Sequence, residues 1–387
     1  MKQNSSLLIA GISALIAAST IVIVSVSAAA MPSYENDAAT GETMKAISYS
    51  QHGPAEEVLT LKSDYPKPVP GKNQVLIQIK ASSVNPVDFK LRRNPVPDFL
   101  IPKPKIPGSD VAGVVVQLGT NLEKKGTTIQ IGDRVAAMLP MIRSKWGSSA
   151  EYVAVDASLV AKVPDEVELE SAAALPLVSL TVVQSLKKLK DPQGKKILIH
   201  AGAGGVGSFA IQYAKKVLGM HVATTASKEK TQIVKDLGAD VVIDYRSEDF
   251  TKVVEDYDAV LDTMSFLYEA RTFDSKVLKK DGHYLSIMSS DWALTEDGKE
   301  KSYGAKTSFN VIKHKMANLV TPGKFLPKYD FCIVNPNGAD LQQVMDLLGE
   351  GTVKAVIDSK FSLADMANAH KHLEGGHVTG KVVIQHE

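Results

Sequence analysis

One stretch of the chain, residues 195–230, constrains the fold more than any other. Lys195–His200 leads from two lysines into an Ile and Leu run, the pattern of a strand buried in a parallel sheet. Apolar residues then recur at helical spacing from Val206 to Leu218, and His221–Thr225 is predicted to form a second strand. The turn between the first strand and the helix fits G-x-G-x-x-G with one extra glycine, and consists of Gly202, Ala203, Gly204, Gly205, Val206 and Gly207.

Glycines in such a turn serve a purpose in dinucleotide sites. They allow a tight turn, let the backbone approach a pyrophosphate, and leave free N–H groups of a helix N-terminus facing the anion. The alternative is a glycine-rich turn that only joins a strand to a helix. Because strand, turn, helix and strand follow one another here, we interpret the turn as a dinucleotide site.

The end of the second strand bears on which dinucleotide binds. An NAD site places an acidic residue about 20 residues after the glycines, where it accepts hydrogen bonds from the ribose 2′-hydroxyl. Here Val222–Ala226 contains no acid, and Ser227, Lys228 and Lys230 follow. A hydroxyl and an ammonium suit a 2′-phosphate, so the sequence predicts NADPH. The alternative is that the lysines, with Glu229, form a solvated first helical turn.

Composition narrows the remaining possibilities. With 387 residues and 44% hydrophobic content, the chain is long enough for two cores. The net charge of +1 and the absence of a basic stripe with interleaved aromatics argue against nucleic acid as a partner. The single cysteine, Cys332, excludes an intrachain disulfide and a four-cysteine zinc site, and its apolar setting "YDFCIV" predicts a small core residue.

The N-terminal segment Leu7–Ala30 has no charged residue and, as a helix, is long enough to cross a hydrocarbon layer of about 30 Å. Two alternatives stay open: an uncleaved anchor that makes the protein membrane-associated, or a signal segment cut near Ser27–Ala30 that leaves an exported or organellar soluble protein. Lys2 before the segment and acidic residues after it favour a body outside the cytosol. A start at Met44 would remove the segment altogether.

The rest of the chain divides by pattern. Residues 1–43 comprise the hydrophobic segment and a linker. Residues 44–169 carry short β-type runs punctuated by Pro and Gly, at Lys45–Tyr49, Gln74–Ala81, Val111–Leu118, Arg134–Met138 and Glu151–Val155. Residues 170–350 alternate helix and strand, which predicts a doubly wound parallel sheet with strands at "ADVVIDY", "YDAVLDTM", "GHYLSIM" and "YDFCIV". Residues 351–387 return to β character and are expected to complete the first domain.

From Met44 to Gln385 the chain resembles a known family. The stretches that carry the resemblance are "ASSVNPVDFKLRR", "IPGSDVAGVV", "IGDRV", "SAAALPLVSLT", "HAGAGGVGSFAIQYAK", "LGADVVIDY" and "GGHVTGKVVI". They are similar, in order and spacing, to zinc-independent medium-chain dehydrogenases/reductases of the quinone oxidoreductase type, close to enone and alkenal reductases and to the reticulon-4-interacting protein group. The resemblance implies an α/β protein with a GroES-like catalytic domain, a Rossmann domain, and an active site in the cleft between them.

The resemblance also implies that no metal is bound. Zinc alcohol dehydrogenases of the same superfamily carry a cysteine ligand and a G-H-E segment, and the corresponding regions here read "NPVD" and "PGSD". These regions lack the thiolate and imidazole ligands of a catalytic zinc. Without this Lewis acid an ordinary carbonyl is a poor substrate, whereas a conjugated C=C can accept hydride at its β-carbon and pass charge to the carbonyl oxygen as an enolate.

Four residues are candidates for this chemistry. We expect Asn85 to donate near the nicotinamide or substrate, Lys90 to stabilise the enolate, Asp88 to orient them and Tyr49 to donate a proton. The alternatives are that "NPVD" only shapes a turn, that Lys90 is solvated, and that Tyr49 is packing.

Similarity assigns further residues to the cofactor. Thr181 is expected near the nicotinamide ribose, Ser227 and Lys230 at the 2′-phosphate, and Tyr245 beside the adenosine phosphate, with a core role as the alternative for Tyr245. The sequence therefore predicts an NADPH-dependent reductase of enals, enones or quinones. A non-catalytic NADPH-binding structural or assembly protein tethered to a membrane is the other class, and a homodimer is an open alternative for its assembly.

Overall fold

A computed structural model describes residues 39–94, 96–125, 128–264, 266–287 and 327–387. The predicted hydrophobic helix at Leu7–Ala30 lies outside these residues. Within the described ranges, no helix combines the length and the apolar character that crossing a membrane requires.

The strands and helices alternate in two blocks of different character. The strands are β1 Ala39–Ser48, β2 Thr60–Pro68, β3 Gln74–Val84, β4 Asp110–Leu118, β5 Arg134–Met138, β6 Tyr152–Asp156, β7 Val160–Lys162, β8 Lys196–Ile199, β9 His221–Ala226, β10 Val241–Asp244, β11 Tyr257–Asp262, β12 Leu278–Ser286, β13 Lys328–Phe331, β14 Ile357–Ser362 and β15 Lys381–Gln385. The helices are α1 Ala55–Val58, α2 Pro86–Arg93, α3 Thr120–Lys125, α4 Leu169–Ala173, α5 Pro176–Leu186, α6 Gly205–Gln212, α7 Thr231–Leu237, α8 Phe250–Val253, α9 Phe266–Phe273, α10 Gly338–Gly349 and α11 Met366–Glu374.

The later block forms a six-stranded parallel sheet in the order β10-β9-β8-β11-β12-β13. Its central strands are buried on both faces, as their continuous aliphatic runs predict. Counting from β8 as the first strand, the order is 3-2-1-4-5-6, the Rossmann arrangement, so the chain reverses direction across the sheet between β8 and β11. The glycine turn follows β8 and therefore lies at the carboxyl edge, where such sheets bind their ligands.

The earlier block builds a seven-stranded sheet in the order β14-β15-β3-β4-β5-β7, with β6 also paired to β3. The last strand, β15, pairs antiparallel with β3, and Val382 is registered opposite Val84. The end of the chain thus returns to a sheet that its first third begins. A separate two-stranded sheet, β1 with β2, stands beside it.

The sequence-based elements agree with the structure in most places. Every β-type run predicted before residue 160 falls on a strand, and Arg134–Met138 matches β5 at both ends. The helix predicted over Val206–Leu218 is α-helical only to Gln212 and continues as a π-helix over Tyr213–Val217. The strand β2 was not predicted, because its exposed face leaves no alternating apolar pattern to detect. Cys332 is buried and free, as expected of a core residue.

Candidate active site

The glycine turn is so tight that two of its glycines have no room for a side chain. A Cβ on Gly202 would lie 2.0 Å from Thr224 Oγ1, and a Cβ on Gly207 would lie 2.3 Å from the carbonyl oxygen of Ala201. Gly204 caps α6 in an extended conformation, so the helix starts at Gly205 with its N-terminus at the turn. The turn provides the close backbone approach that a pyrophosphate requires.

Thr225 of β9 supports this turn from the neighbouring strand. The N–H of Ala201, which has a positive φ of 52°, donates to Thr225 Oγ1 at 3.0 Å. The N–H of Gly202 donates to the carbonyl oxygen of Thr225 at 2.9 Å. Thr225 thus uses both its side chain and its carbonyl oxygen to hold the turn.

The residues predicted at the 2′-phosphate meet at the carboxyl ends of β9 and β10. Ser227 is buried directly after β9, and Tyr245 follows β10, whose Asp244 is registered opposite Ala226. Tyr245 is 42% exposed, so it is a surface residue and not part of the core. Lys230 donates from Nζ to the carbonyl oxygens of His377 at 2.7 Å and Val378 at 3.2 Å. The C-terminal "GGHVTG" loop therefore borders this end of the site.

Arg246 joins this group, although the sequence analysis did not single it out. Its guanidinium donates to both carboxylate oxygens of Glu229, at 3.0 and 3.1 Å, and lies 5.8 Å from the centre of the Tyr245 ring. The sequence signal was its position directly after "IDY". Two cationic side chains, Lys230 and Arg246, thus flank Ser227 and Tyr245.

Thr181 lies on α5, which runs beside the glycine turn. Val178 of the same helix has its Cγ1 3.3 Å from where a Cβ on Gly205 would lie. Thr181 is buried, and its hydroxyl donates to the carbonyl oxygen of Leu177 at 2.7 Å, which leaves its oxygen free to act as an acceptor only.

Asn85 is the N-cap of α2, as its place before a proline predicts. Its side chain is 0% exposed. The amide nitrogen donates to Asp110 Oδ2 at 2.8 Å and to Ser109 Oγ at 3.4 Å, and the amide oxygen accepts from Lys381 Nζ. These contacts occupy both ends of the amide and hold the loop before α2 in position. The donor role expected of Asn85 from the sequence stays a prediction.

Lys381 and Asp110 form a buried ion pair that the sequence analysis missed. Their Nζ and Oδ2 atoms are 3.2 Å apart, and both residues are buried. The other oxygen of Asp110 accepts the backbone N–H of Leu177 at 2.7 Å, which ties α5 to the same pair. The signal in the sequence was a lone lysine at the start of the apolar run "GKVVIQ".

Asp88 is buried one helical turn after Asn85 and accepts its backbone N–H at 2.8 Å. Burial raises the pKa of the Asp88 carboxyl to about 7, against the lowering effect of that hydrogen bond. The buried Lys105, whose Nζ donates to the carbonyl oxygens of Ser144 and Trp146 at 2.8 and 3.1 Å, is among the nearby cations. Burial lowers the pKa of Lys105 to about 8.

Lys90 and Tyr49 differ in how well they suit proton chemistry. Lys90 is half-buried on α2, and burial lowers its pKa to about 8, so its ammonium holds a labile proton near neutral pH. Tyr49 is buried and its backbone pairs with that of Lys105 in both directions at 2.9 Å. Burial, followed by the nearby Asp88 charge, raises the pKa of the Tyr49 phenol, which makes it a weaker acid.

The two regions that hold zinc in other dehydrogenases contribute Asn85, Asp88, Ser109 and Asp110 here, and Asp110 is paired with Lys381. Among the residues that the structure describes, no three His, Cys, Asp or Glu side chains are grouped so as to hold a metal ion. That the protein binds no metal stays a prediction from its donor set.

Comparison with known proteins matches both halves of the chain. The alcohol dehydrogenase GroES-like domain family matches residues 71–165, and the family described as zinc-binding dehydrogenase matches residues 237–384. The NADPH-dependent alkenal/one oxidoreductase, chloroplastic, of Arabidopsis thaliana is 35% identical over 92% of this chain and 83% of that protein. The 2-methylene-furan-3-one reductase of Solanum lycopersicum is 38% identical over 88% of this chain and 79% of that protein.

A solved structure agrees with these matches. The quinone oxidoreductase from Coxiella burnetii superposes with a TM-score of 0.73 and 31% identity, over 89% of this chain and 99% of that one. The resemblance inferred from the sequence motifs is thereby confirmed. The strand order, the glycine turn and these relatives lead to one conclusion: the chain belongs to the medium-chain dehydrogenase/reductase superfamily, among the quinone oxidoreductases and alkenal and enone reductases.

Proposed function

We propose that the protein is an NADPH-dependent oxidoreductase that delivers hydride to the C=C bond of an α,β-unsaturated carbonyl compound or to a quinone, without zinc. The observation that carries the proposal is the half-buried Lys90, with a pKa of about 8, on a helix whose N-cap Asn85 is bound to the cofactor side of the site through Lys381. The activities for which the relatives are named support an enzyme over a non-catalytic NADPH-binding protein.

The cofactor roles follow from position and charge. The glycine turn would face the pyrophosphate with the N-terminus of α6, and Ser227, Lys230 and Tyr245 would surround the 2′-phosphate, with Arg246 as an additional cation. Thr181 would accept a hydrogen bond at the nicotinamide ribose. When bound, NADPH supplies the hydride.

Stabilisation of the enolate and transfer of a proton are assigned to Lys90. As hydride reaches the β-carbon, negative charge develops on the carbonyl oxygen, and an ammonium aimed at that oxygen stabilises it. With a pKa of about 8, the same group can pass on a proton near neutral pH. Asn85 and Asp88 position the start of the helix that carries Lys90. Tyr49 is buried near Asp88 and has a structural role.

We assign these roles to two domains. The catalytic domain comprises residues 44–169 and 351–387, and the NADPH-binding domain comprises residues 170–350. The pairing of β15 with β3 supports the division, since it returns residues 381–385 to the first sheet. We propose that the protein self-associates as a homodimer, and measuring its oligomeric state in solution tests this.

For the N-terminal segment we favour removal after import into an organelle over a membrane anchor. The Arabidopsis relative is named as chloroplastic, which supports this alternative. Sequencing the N-terminus of the mature protein tests it, since an anchor would leave Leu7–Ala30 in place.

The test of the function is NADPH oxidation by the purified protein with a small panel of enals, enones, quinones and saturated ketones. We expect turnover with the conjugated substrates, none with saturated ketones, and a preference for NADPH over NADH. Product analysis after reaction with an enone should show a saturated C–C bond and an intact carbonyl. NADPH binding without turnover on any member of the panel would favour the non-catalytic class instead.

A further inference from the structure

We propose that Lys381 is a positioning residue which links the cofactor turn to the catalytic loop, so that occupancy of the turn and the placement of Lys90 are coupled. The proposal rests on the function proposed above and adds to it a residue, Lys381, to which the sequence analysis gave no role. Lys381 lies at the start of β15, and its side chain extends between the glycine turn and the start of α2.

On the loop side, the ammonium has an acceptor for each of its three protons. Nζ donates to the side-chain oxygen of Asn85, to Asp110 Oδ2 at 3.2 Å and to the carbonyl oxygen of Val84 at 3.4 Å. Two of these acceptors belong to the residues immediately before α2. The ammonium therefore fixes the point from which the helix carrying Lys90 starts.

On the cofactor side, the stem of Lys381 lies against the turn. A Cβ on Gly205 would be 2.9 Å from Lys381 Cδ, closer than real side chains approach. The preceding Gly380 donates its N–H to the carbonyl oxygen of Ala203 at 2.8 Å and forms a β-bridge with Gly204. Gly205 is the one glycine in the turn that the G-x-G-x-x-G pattern does not require, and the space it leaves is occupied by Lys381.

The charge of Lys381 is compensated within the protein by Asp110, which is itself fully hydrogen-bonded. Asp110 Oδ2 also accepts from Ser83 Oγ at 2.7 Å and from Asn85 Nδ2 at 2.8 Å, and Oδ1 accepts from Leu177. A network in which every member is paired is rigid, whereas loss of one partner leaves a buried charge uncompensated. Lys381 is therefore not free to contact substrate, and its influence on the reaction passes through Asn85 and α2.

Such a link would affect the reaction rate, because hydride transfer is sensitive to the positions of the reacting groups. A shift of about 1 Å in a reacting group can reduce the rate on the order of 10²-fold. If Lys381 sets the distance between the turn and α2, its loss should move Lys90 relative to the nicotinamide while leaving Lys90 itself intact.

The experiment compares Lys381→Met with Lys360→Met, a control that removes a more exposed lysine from the neighbouring strand β14. The rate of the first turnover is measured on an enone with NADPH saturating, per bound NADPH. We expect Lys381→Met to reduce that rate about 10²-fold, and Lys360→Met to leave it within about twofold. Reduced thermal stability with an unchanged rate per bound NADPH would show that Lys381 has a structural role only, and would overturn the proposal.

Two further variants keep the test interpretable if Lys381→Met does not fold. The double change Asp110→Asn with Lys381→Met removes both buried charges together, and Gly205→Ala displaces the stem of Lys381 with the ion pair intact. We expect both to lower the first-turnover rate. A normal rate per bound NADPH in either would contradict the link.

Hydrogen exchange supplies a readout that does not depend on activity. In the wild-type protein we expect NADPH to slow exchange in the peptide covering residues 85–94 as well as in the glycine turn. In the Lys381 variants, the turn should still be protected while protection of residues 85–94 falls by at least about half. Equal protection of residues 85–94 in all proteins would refute the coupling, even if the panel of substrates had shown no turnover and the proposed function had failed.

Discussion

The two ends of the candidate site are built in opposite ways. At the catalytic loop, Asn85, Asp110 and Lys381 are buried and bonded to one another. At the phosphate end, Tyr245 is 42% exposed, and Arg246 lies at the surface in an exposed ion pair with Glu229. The placement of the reacting groups therefore depends on a buried network that cannot be changed in part, whereas Tyr245 and Arg246 can be exchanged at little cost in stability.

The largest effect is expected at Lys90. Lys90→Met should lower kcat and kcat/KM together on an enone by about 10²-fold to 10³-fold, because an ammonium aimed at a developing enolate acts mainly in the transition state. NADPH affinity should change little. The wild-type rate should fall above a pH of about 8 as the ammonium loses its proton, and the variant should lack that inflection. Normal turnover in the variant would show that Lys90 is a bystander.

At the phosphate end, Ser227→Ala combined with Lys230→Ala should weaken NADPH selectively. Charge-assisted hydrogen bonds contribute about 1.5 to 3 kcal/mol, which corresponds to a roughly 10-fold to 150-fold increase in the NADPH dissociation constant. NADH serves as the internal control, since it lacks the 2′-phosphate. Equal weakening of both cofactors in fluorescence titrations would remove these residues from the 2′-phosphate site.

At the buried catalytic loop, Asp88 should make the free energy of unfolding of the protein depend on pH. Its folded pKa of about 7 lies above the ordinary value near 4, so the folded protein binds the proton more tightly, and stability falls as pH rises through that window. Asp88→Asn keeps an oxygen for the Asn85 N–H and removes the charge. Its melting temperature should exceed that of the wild type at pH 8, with no gain at pH 4. Parallel melting curves across pH would mean that Asp88 titrates normally.

A smaller effect is expected at Arg246. The guanidinium is half exposed and already paired with Glu229, and exposed ion pairs contribute at most about 1 kcal/mol. Arg246→Ala should therefore raise the NADPH dissociation constant less than about fivefold. Glu229→Gln is the matched change, and it should tighten NADPH slightly by freeing the guanidinium. If Glu229→Gln weakened NADPH, the carboxylate would have to be a direct contact of the ribose.

No effect is expected from metal removal. Exhaustive chelation should leave turnover and melting temperature unchanged, since the regions that hold zinc in other dehydrogenases contribute Asn85 and Ser109 here. Stoichiometric zinc in elemental analysis, together with activity lost on its removal, would reverse this prediction.

The sequence predicted the Rossmann half of the molecule well because its signals are local. Buried aliphatic runs, helical spacing and glycines in a tight turn each lie within a few residues, and the turn and strand positions agree with the structure. The same locality placed Ser227, Lys230 and Tyr245 near one another, because they follow two adjacent strands.

The buried network could not be predicted in this way. Lys381 and Asn85 are 296 positions apart, and a lysine in an apolar strand has no pattern that names its partner. For the same reason the sequence did not reveal that the amide of Asn85 bonds to residues of β4 and β15, whose approach depends on the tertiary fold. The exposure of Tyr245 likewise depends on packing, which its neighbours in the sequence do not reveal.

The pairing of β15 with β3 has a consequence for how the protein is made. Strands β3 to β7 of the first sheet are synthesised early, but β3 lacks one neighbour, and Asp110 lacks its cation, until residues 381–385 have been synthesised. The chain between the two parts of the first sheet has its own parallel sheet and hydrophobic cluster. It can therefore fold while the first sheet is still incomplete. A nascent chain that stops before residue 381 therefore lacks both the strand that pairs with β3 and the cation that pairs with Asp110.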